Sequence, residues 1–210
     1  MKKNIEVEIM GPLNKKEFTS LNKFMKRDAK FLGERDRFTL MYFKNKIPKY
    51  IGEIKGEKVD LRLRISNKKA EIVLKYGLFG YVNKREEIII PIELSKFDEA
   101  IRFLKYLGWT KTVVYATKTY MYKYKNTELV ITDIKDFGYS YEIEIMVNSE
   151  KDVSRTENEL FKIIKDLNLR KYTKEGFDKQ CNDINNTKEL QIDFKEESFS
   201  RIKNKFKKFF

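Results

Sequence analysis

The stretch that most constrains this chain is Tyr139 to Val147, in which Glu142 and Glu144 fall on one parity and Ile143 and Ile145 on the other. Side chains of a β-strand point to alternate faces, so this spacing predicts a strand with one acidic and one apolar face. The same design opens the chain over residues 4 to 10, where Glu6 and Glu8 oppose Ile5, Val7 and Ile9. Between these two acidic strands lie basic ones. Val59 to Ile65 sets Asp60, Arg62 and Arg64 against Leu61, Leu63 and Ile65. Ala70 to Tyr76 places Glu71, Val73 and Lys75 on one face, and Lys84 to Ile92 places Arg85 and Glu87 together. In an open sandwich each charged face simply meets solvent. Taken jointly, the faces suit a closed antiparallel barrel, which turns the charges inward and lets the apolar faces pack under helices.

The rest of the pattern supplies those helices. Gly11-Pro12 is expected to end the first strand, and Asn14 with Glu17 reads as a capping box for a helix over residues 14 to 26 carrying Phe18, Leu21, Phe24 and Met25 on one face. Residues 35 to 43 read as a strand, and Lys44 to Lys58, broken by Pro48, Gly52 and Gly56, as a loop able to act as a flap. Ser66 to Lys69 predicts a hairpin turn and Gly77 to Asn83 a loop. Ser95 is expected to cap a second helix with a buried stripe of Phe97, Ile101, Leu104 and Leu107, ended by Gly108. A strand followed at once by an amphipathic helix thus occurs at 4–26 and again at 88–107, an internal pseudo-repeat. A Tyr-rich hairpin follows, Val113 to Lys125 and Glu128 to Thr132 about Asn126, and Asp133 to Gly138 leads into the opening stretch. Asp152 to Leu169, with Ser154 and Glu157 as a capping pair, predicts a third helix, and residues 173 to 185 a short fourth. The sum is an α+β fold of about eight strands. Residues 1–186 are assigned to one domain and 187–210 to a basic tail. Phe199, Ile202, Phe206 and Phe210 in that tail fit a short amphipathic helix, which either lies on an anionic membrane or nucleic acid, or docks on the barrel or frays.

Composition narrows the chemistry. The 210 residues contain no histidine and one cysteine, Cys181, which excludes Ser-His and Cys-His nucleophile pairs, His-ligated zinc and an intrachain disulfide. Catalysis must then run on carboxylates, Lys, Arg, Tyr and a metal held by oxygen. A formal charge of +13 favours an anionic partner. The longest apolar runs fall short of the roughly 18 residues that span a bilayer, and acids follow Met1 too soon for a signal peptide, so a cytoplasmic location is expected.

The ordered set Glu6-x-Glu8, Arg62-x-Arg64, Lys75, Arg85-x-Glu87 and Gly138-x-x-Tyr141-Glu142-x-Glu144 resembles the CYTH domain, the triphosphate tunnel metalloenzyme family, over residues 4 to 170. The resemblance implies an eight-stranded antiparallel tunnel with helices outside, binding a small triphosphate with Mg²⁺ or Mn²⁺. Glu6, Glu8, Glu142 and Glu144 would hold the metal, with Glu87 and Asp133 as further acids. Arg62, Arg64, Lys75, Arg85 and Lys118 would bind the phosphates, and Glu6, Glu8, Arg62 and Arg64 would form the catalytic set. Two departures stand out. The family pattern Glu-x-Glu-x-Lys ends here in Met10, and the basic positions counted back from Tyr120 fall on Thr117 and Tyr115, leaving Lys118 on the opposite parity. The implied activity is a triphosphatase. A class IV-type adenylate cyclase, a non-catalytic nucleotide or polyphosphate binder, and a nucleic-acid-associated protein are the alternatives, with a monomer or homodimer as the assembly.

Overall fold

The computed structural model describes residues 5–49, 59–77 and 82–210, without the side chains of 82–85. Much of the expected flap at 44–58, most of the loop at 77–83 and the side chain of Arg85 therefore lie outside the described residues.

Eight antiparallel strands close on themselves: β2 (Lys30–Phe43), β3 (Val59–Ser66), β4 (Lys69–Tyr76), β5 (Val82–Ile92), β1 (Ile5–Leu13), β8 (Gly138–Val147), β7 (Thr127–Ile134) and β6 (Lys111–Tyr124) are neighbours in that order, and β6 returns to β2. Closure leaves each strand with an inner and an outer face. A short β9 (Gln191–Asp193) pairs with the Lys111–Val113 end of β6, beyond the reach of β7. The pseudo-repeat is visible in the connections, since α1 (Lys15–Asp28) links β1 to β2 and α2 (Phe97–Tyr106) links β5 to β6.

The outer face carries two apolar cores. One lies where Val7, Ile9, Tyr141 and Ile143 pack under α1 and under α3 (Val153–Asp166), through Met25, Leu160 and Ile164. The other lies where Phe38, Leu40, Leu61 and Leu63 pack under α2 and the C-terminal segment. There the tail is docked: Phe206, Phe209 and Phe210 gather around Phe38, with ring centroids 5.3, 5.8 and 5.3 Å away. Lys68 fastens it further by donating to the carbonyl oxygens of Lys208 and Phe210 at 2.9 and 2.8 Å. Lys68 can do so because Asn67 and Lys68 both adopt positive φ, 48° and 67°, in a tight hairpin turn.

Several local expectations meet corrections. β1 does not stop at Gly11-Pro12 but pairs with β8 through Leu13. On its other side the pairing with β5 spans Ile5 to Ile9, so no ladder bond is asked of Pro12 there. Asn14 and Glu17 do form the capping box. Ser95 caps nothing; its Oγ donates to Glu93 Oε2 at 3.3 Å, and Ser95 lies within a 3₁₀ turn that runs directly into α2. Leu107 is exposed, because α2 ends one residue before it. Ser154 lies inside α3, whose entry is instead shaped by Ser149 accepting from Lys151 N.

Candidate metal and anion tunnel

The inner face follows from parity. With Val7, Ile9, Tyr141 and Ile143 committed to the outer core, Glu6, Glu8, Glu142 and Glu144 must point inward. One carboxylate oxygen from each lies within 4.8 Å of the others. β1 and β8 are neighbours with Glu8 directly opposite Glu144 and Met10 opposite Glu142, so pairing register brings together residues 136 positions apart. Glu128 stands opposite Glu144 on β7, an acid that the sequence reading passed over because it begins its strand without an alternating partner.

Crowding of like charges away from water opposes ionisation. Burial, then Glu8 and Glu144, hold the Glu142 carboxyl well above the usual range. Burial and Glu6 push Glu144 up to about 8. Lys75 offsets part of this repulsion, its Nζ donating to Glu6 Oε2 at 2.9 Å with Glu87 at 3.9 Å. Burial works against the lysine charge, but Glu8, Glu6 and Glu142 outweigh it and its pKa is raised.

The basic strand faces inward as expected. Arg62 donates Nε and Nη2 to Asp60 at 2.8 and 2.6 Å, and although burial opposes its charge, Asp60 holds its pKa well above the usual value. Arg64 is bonded to Glu71 and lies 3.7 Å from Glu87. Glu6, Glu142, Glu144, Lys75, Arg62 and Arg64 line one cavity of about 300 Å³. From β2 it is also lined by Arg35 and Arg37, which the sequence reading left within an unremarkable strand. Their i, i+2 spacing repeats that of Arg62 and Arg64 and was the available signal. Helix α4 (Lys174–Asn185) contributes Phe177, Gln180, Cys181 and Ile184 to the same cavity. Burial pushes the Cys181 thiol up to about 12, which leaves it uncharged at neutral pH.

Three of the expected site residues are placed otherwise. Lys118 and Asp133 face each other across the β6–β7 ladder on the outer parity, where Lys118 pairs with Glu34 at 3.3 Å. Thr117, Thr119, Thr132 and Ile134 take the inward positions. Glu87 reaches the cavity but serves Arg64 and Lys75 rather than the four-carboxylate group. Met10 and Tyr115 also face inward, so the two departures from the family pattern both fall on the tunnel wall.

Among solved structures the chain is similar to PH1819 from Pyrococcus horikoshii OT3, at 20% identity with a TM-score of 0.66 over 82% of this chain and 95% of that one. It is also similar to a Vibrio parahaemolyticus protein described as a "putative adenylate cyclase", at 15% identity and a TM-score of 0.62 over 81% and 94%. A chain of the Schizosaccharomyces pombe Mediator head module matches at 11% identity and a TM-score of 0.55 over 78% and 94%. At these identities the likeness is one of fold. No curated protein sequence matches the chain. The CYTH domain model, however, matches residues 4–176, which spans the whole barrel and reaches into α4, and the chain belongs to the CYTH domain family.

Proposed function

We propose that this protein binds a small linear triphosphate in its tunnel and hydrolyses it in the presence of Mg²⁺ or Mn²⁺. The observation that carries this reading is one cavity that joins a four-carboxylate group to a wall of guanidinium and ammonium groups. The carboxylates fit a hard divalent cation: they offer only oxygen donors, they converge, and the raised pKa values of Glu142 and Glu144 express burial and a like-charge repulsion that a cation would offset. Glu6, Glu8, Glu142 and Glu144 would hold it; when bound, it supplies charge neutralisation and polarisation of phosphoryl oxygens. The chain's own groups do the rest. Arg62 and Arg64, oriented by Asp60 and Glu71, present fixed N–H donors to phosphate oxygens, and Lys75 keeps its proton and adds a point charge beside Glu6. α4 adds Phe177, Cys181 and Ile184 to the cavity lining beside these groups.

A second reading has a specific observation behind it. Met10 places a thioether on the cavity wall opposite Glu142, where the family pattern carries an amine, and this favours binding without turnover. One substrate panel separates the readings. Purified protein with Mg²⁺ or Mn²⁺ is given tripolyphosphate, thiamine triphosphate and nucleoside triphosphates, and phosphate, pyrophosphate and cyclic nucleotide are measured. Phosphate release is the expected result. Calorimetric binding without release identifies a binder, cyclic AMP with pyrophosphate identifies a cyclase, and neither binding nor turnover overturns the proposal.

A further inference from the structure

The cations of the tunnel are not equivalent. Arg62 is held by Asp60, Arg64 by Glu71, and Lys75 by Glu6. Arg35 and Arg37 differ: among the described residues no carboxylate forms an ion pair with either, and the side-chain bond of Arg37 is Nε donating to Ser66 Oγ at 3.2 Å. Both are partly shielded from solvent and both line the cavity. Their surroundings are hydroxyls. Thr119 lies opposite Arg35 and Thr117 opposite Arg37 on β6, and Ser66 lies opposite Arg37 on β3. Burial, then Arg64 and Arg35, lower the Arg37 pKa to about 10, with Arg62 acting in the same direction and Tyr115 opposing.

A guanidinium withdrawn from water beside other guanidiniums and lacking a counter-ion costs free energy that an anion would recover. Its planar fork of donors matches two phosphate oxygens at once. We infer that Arg35 and Arg37 form a second anion subsite on the β2 wall, which takes the phosphoryl group of a polyphosphate that lies farthest from the four glutamates. The pair stands beside the inward position Thr117, where the β6 strand itself carries no cation, so the neighbouring strand supplies the missing charge across the ladder. The inference rests on reading the tunnel as a polyphosphate site, and it adds a length preference: a ligand too short to reach β2 gains nothing from these two residues.

The test is calorimetric titration of wild type, Arg35→Gln, Arg37→Gln and Arg37→Lys with sodium tripolyphosphate and with sodium pyrophosphate, together with thermal melts of the ligand-free proteins. Both Gln variants are expected to weaken tripolyphosphate binding at least about tenfold, as loss of a charge-assisted hydrogen bond does, and pyrophosphate binding less than about threefold. Arg37→Lys should recover part of the loss. Ligand-free Arg37→Gln should melt at or above the wild-type temperature, because an uncompensated charge has been removed. Wild-type affinity for tripolyphosphate in both Gln variants, equal losses for both ligands, or a lowered melting temperature with unchanged affinity would overturn the inference while leaving the proposed function standing. Failure of wild type to bind tripolyphosphate removes both.

Discussion

At the residue scale, the four glutamates that converge from β1 and β8 crowd like charges together when no cation is bound, and Glu142 and Glu144 carry the cost as raised pKa values. A carboxyl whose folded pKa is raised keeps a proton that the unfolded chain releases, so in the cation-free protein its contribution to stability is fully present below the unfolded pKa and is lost as pH rises through the folded one. For Glu144 the window runs from the ordinary value of 4.5 to about 8, above which the loss levels off. Urea denaturation in EDTA across this range should show falling stability, and Glu144→Gln should flatten the profile and add about 1–3 kcal/mol at pH 8, since one pKa unit is worth about 1.4 kcal/mol. The same residues predict that Mg²⁺ or Mn²⁺ affinity rises with pH up to about 8, with proton release on binding. Calorimetry in two buffers of different ionisation enthalpy measures this. A flat stability profile for the wild type would show that the acids are not in the electrostatic conflict described.

At the element scale, the far end of β1 fixes where α4 sits. Gly11 lies opposite Tyr141, and a Cβ there would meet Arg170 O at 2.0 Å and the Tyr141 ring at 2.3 Å. Two bonds hold the segment before α4 against these strands: Tyr141 Oη donates to Arg170 O at 3.1 Å, and Tyr172 N donates to Met10 O at 3.0 Å. Backbone and a buried ring cannot both give way, so Gly11→Ala should cost about 1–3 kcal/mol in chemical denaturation, the range for overpacking. It should also weaken tripolyphosphate binding, because α4 lines the cavity. An alanine variant with unchanged stability would mean that the close approach is relieved without cost. This role of Gly11 was hidden in the sequence, where Gly-Pro reads as punctuation; what reverses that reading is a partner strand and a loop more than 120 residues away.

At the scale of the whole molecule, one barrel wall separates a charged interior from two apolar exteriors, and the C-terminal segment is part of one of them. Phe206 is buried against Phe38 in the core that also holds Phe97 and Ile101. Phe206→Ala should therefore lower stability by about 3–5 kcal/mol in urea, as for large-to-small changes at buried aromatics, while the folded fraction keeps its ligand affinity. A loss below about 1 kcal/mol would indicate a tail that merely rests on the surface. No helix among the described residues is long and apolar enough to cross a membrane.

Alternation alone determined much of this protein. Which residues share a strand face is a property of the chain, so Glu6 with Glu8, Arg62 with Arg64 and Glu142 with Glu144 were legible as pairs, and the family pattern gave their order a meaning. Where alternation was weak the reading faltered. In β6 the run Val113-Val114-Tyr115-Ala116-Thr117-Lys118 offers no polar and apolar faces to tell apart; Lys118, already on the opposite parity in the sequence, and Asp133 both stand outside, away from the phosphate and metal roles that the resemblance implies for them. Arg35 and Arg37 passed unnoticed because their strand gives no sign of what opposes it. Only closure of the sheet, the β2–β6 pairing above all, decides which parity is the interior and which cations arrive there without a carboxylate. The physical reason is that a strand's period of two fixes relative facing within one strand, while the inside of a barrel and the charge balance within it are set by register between strands far apart in the chain.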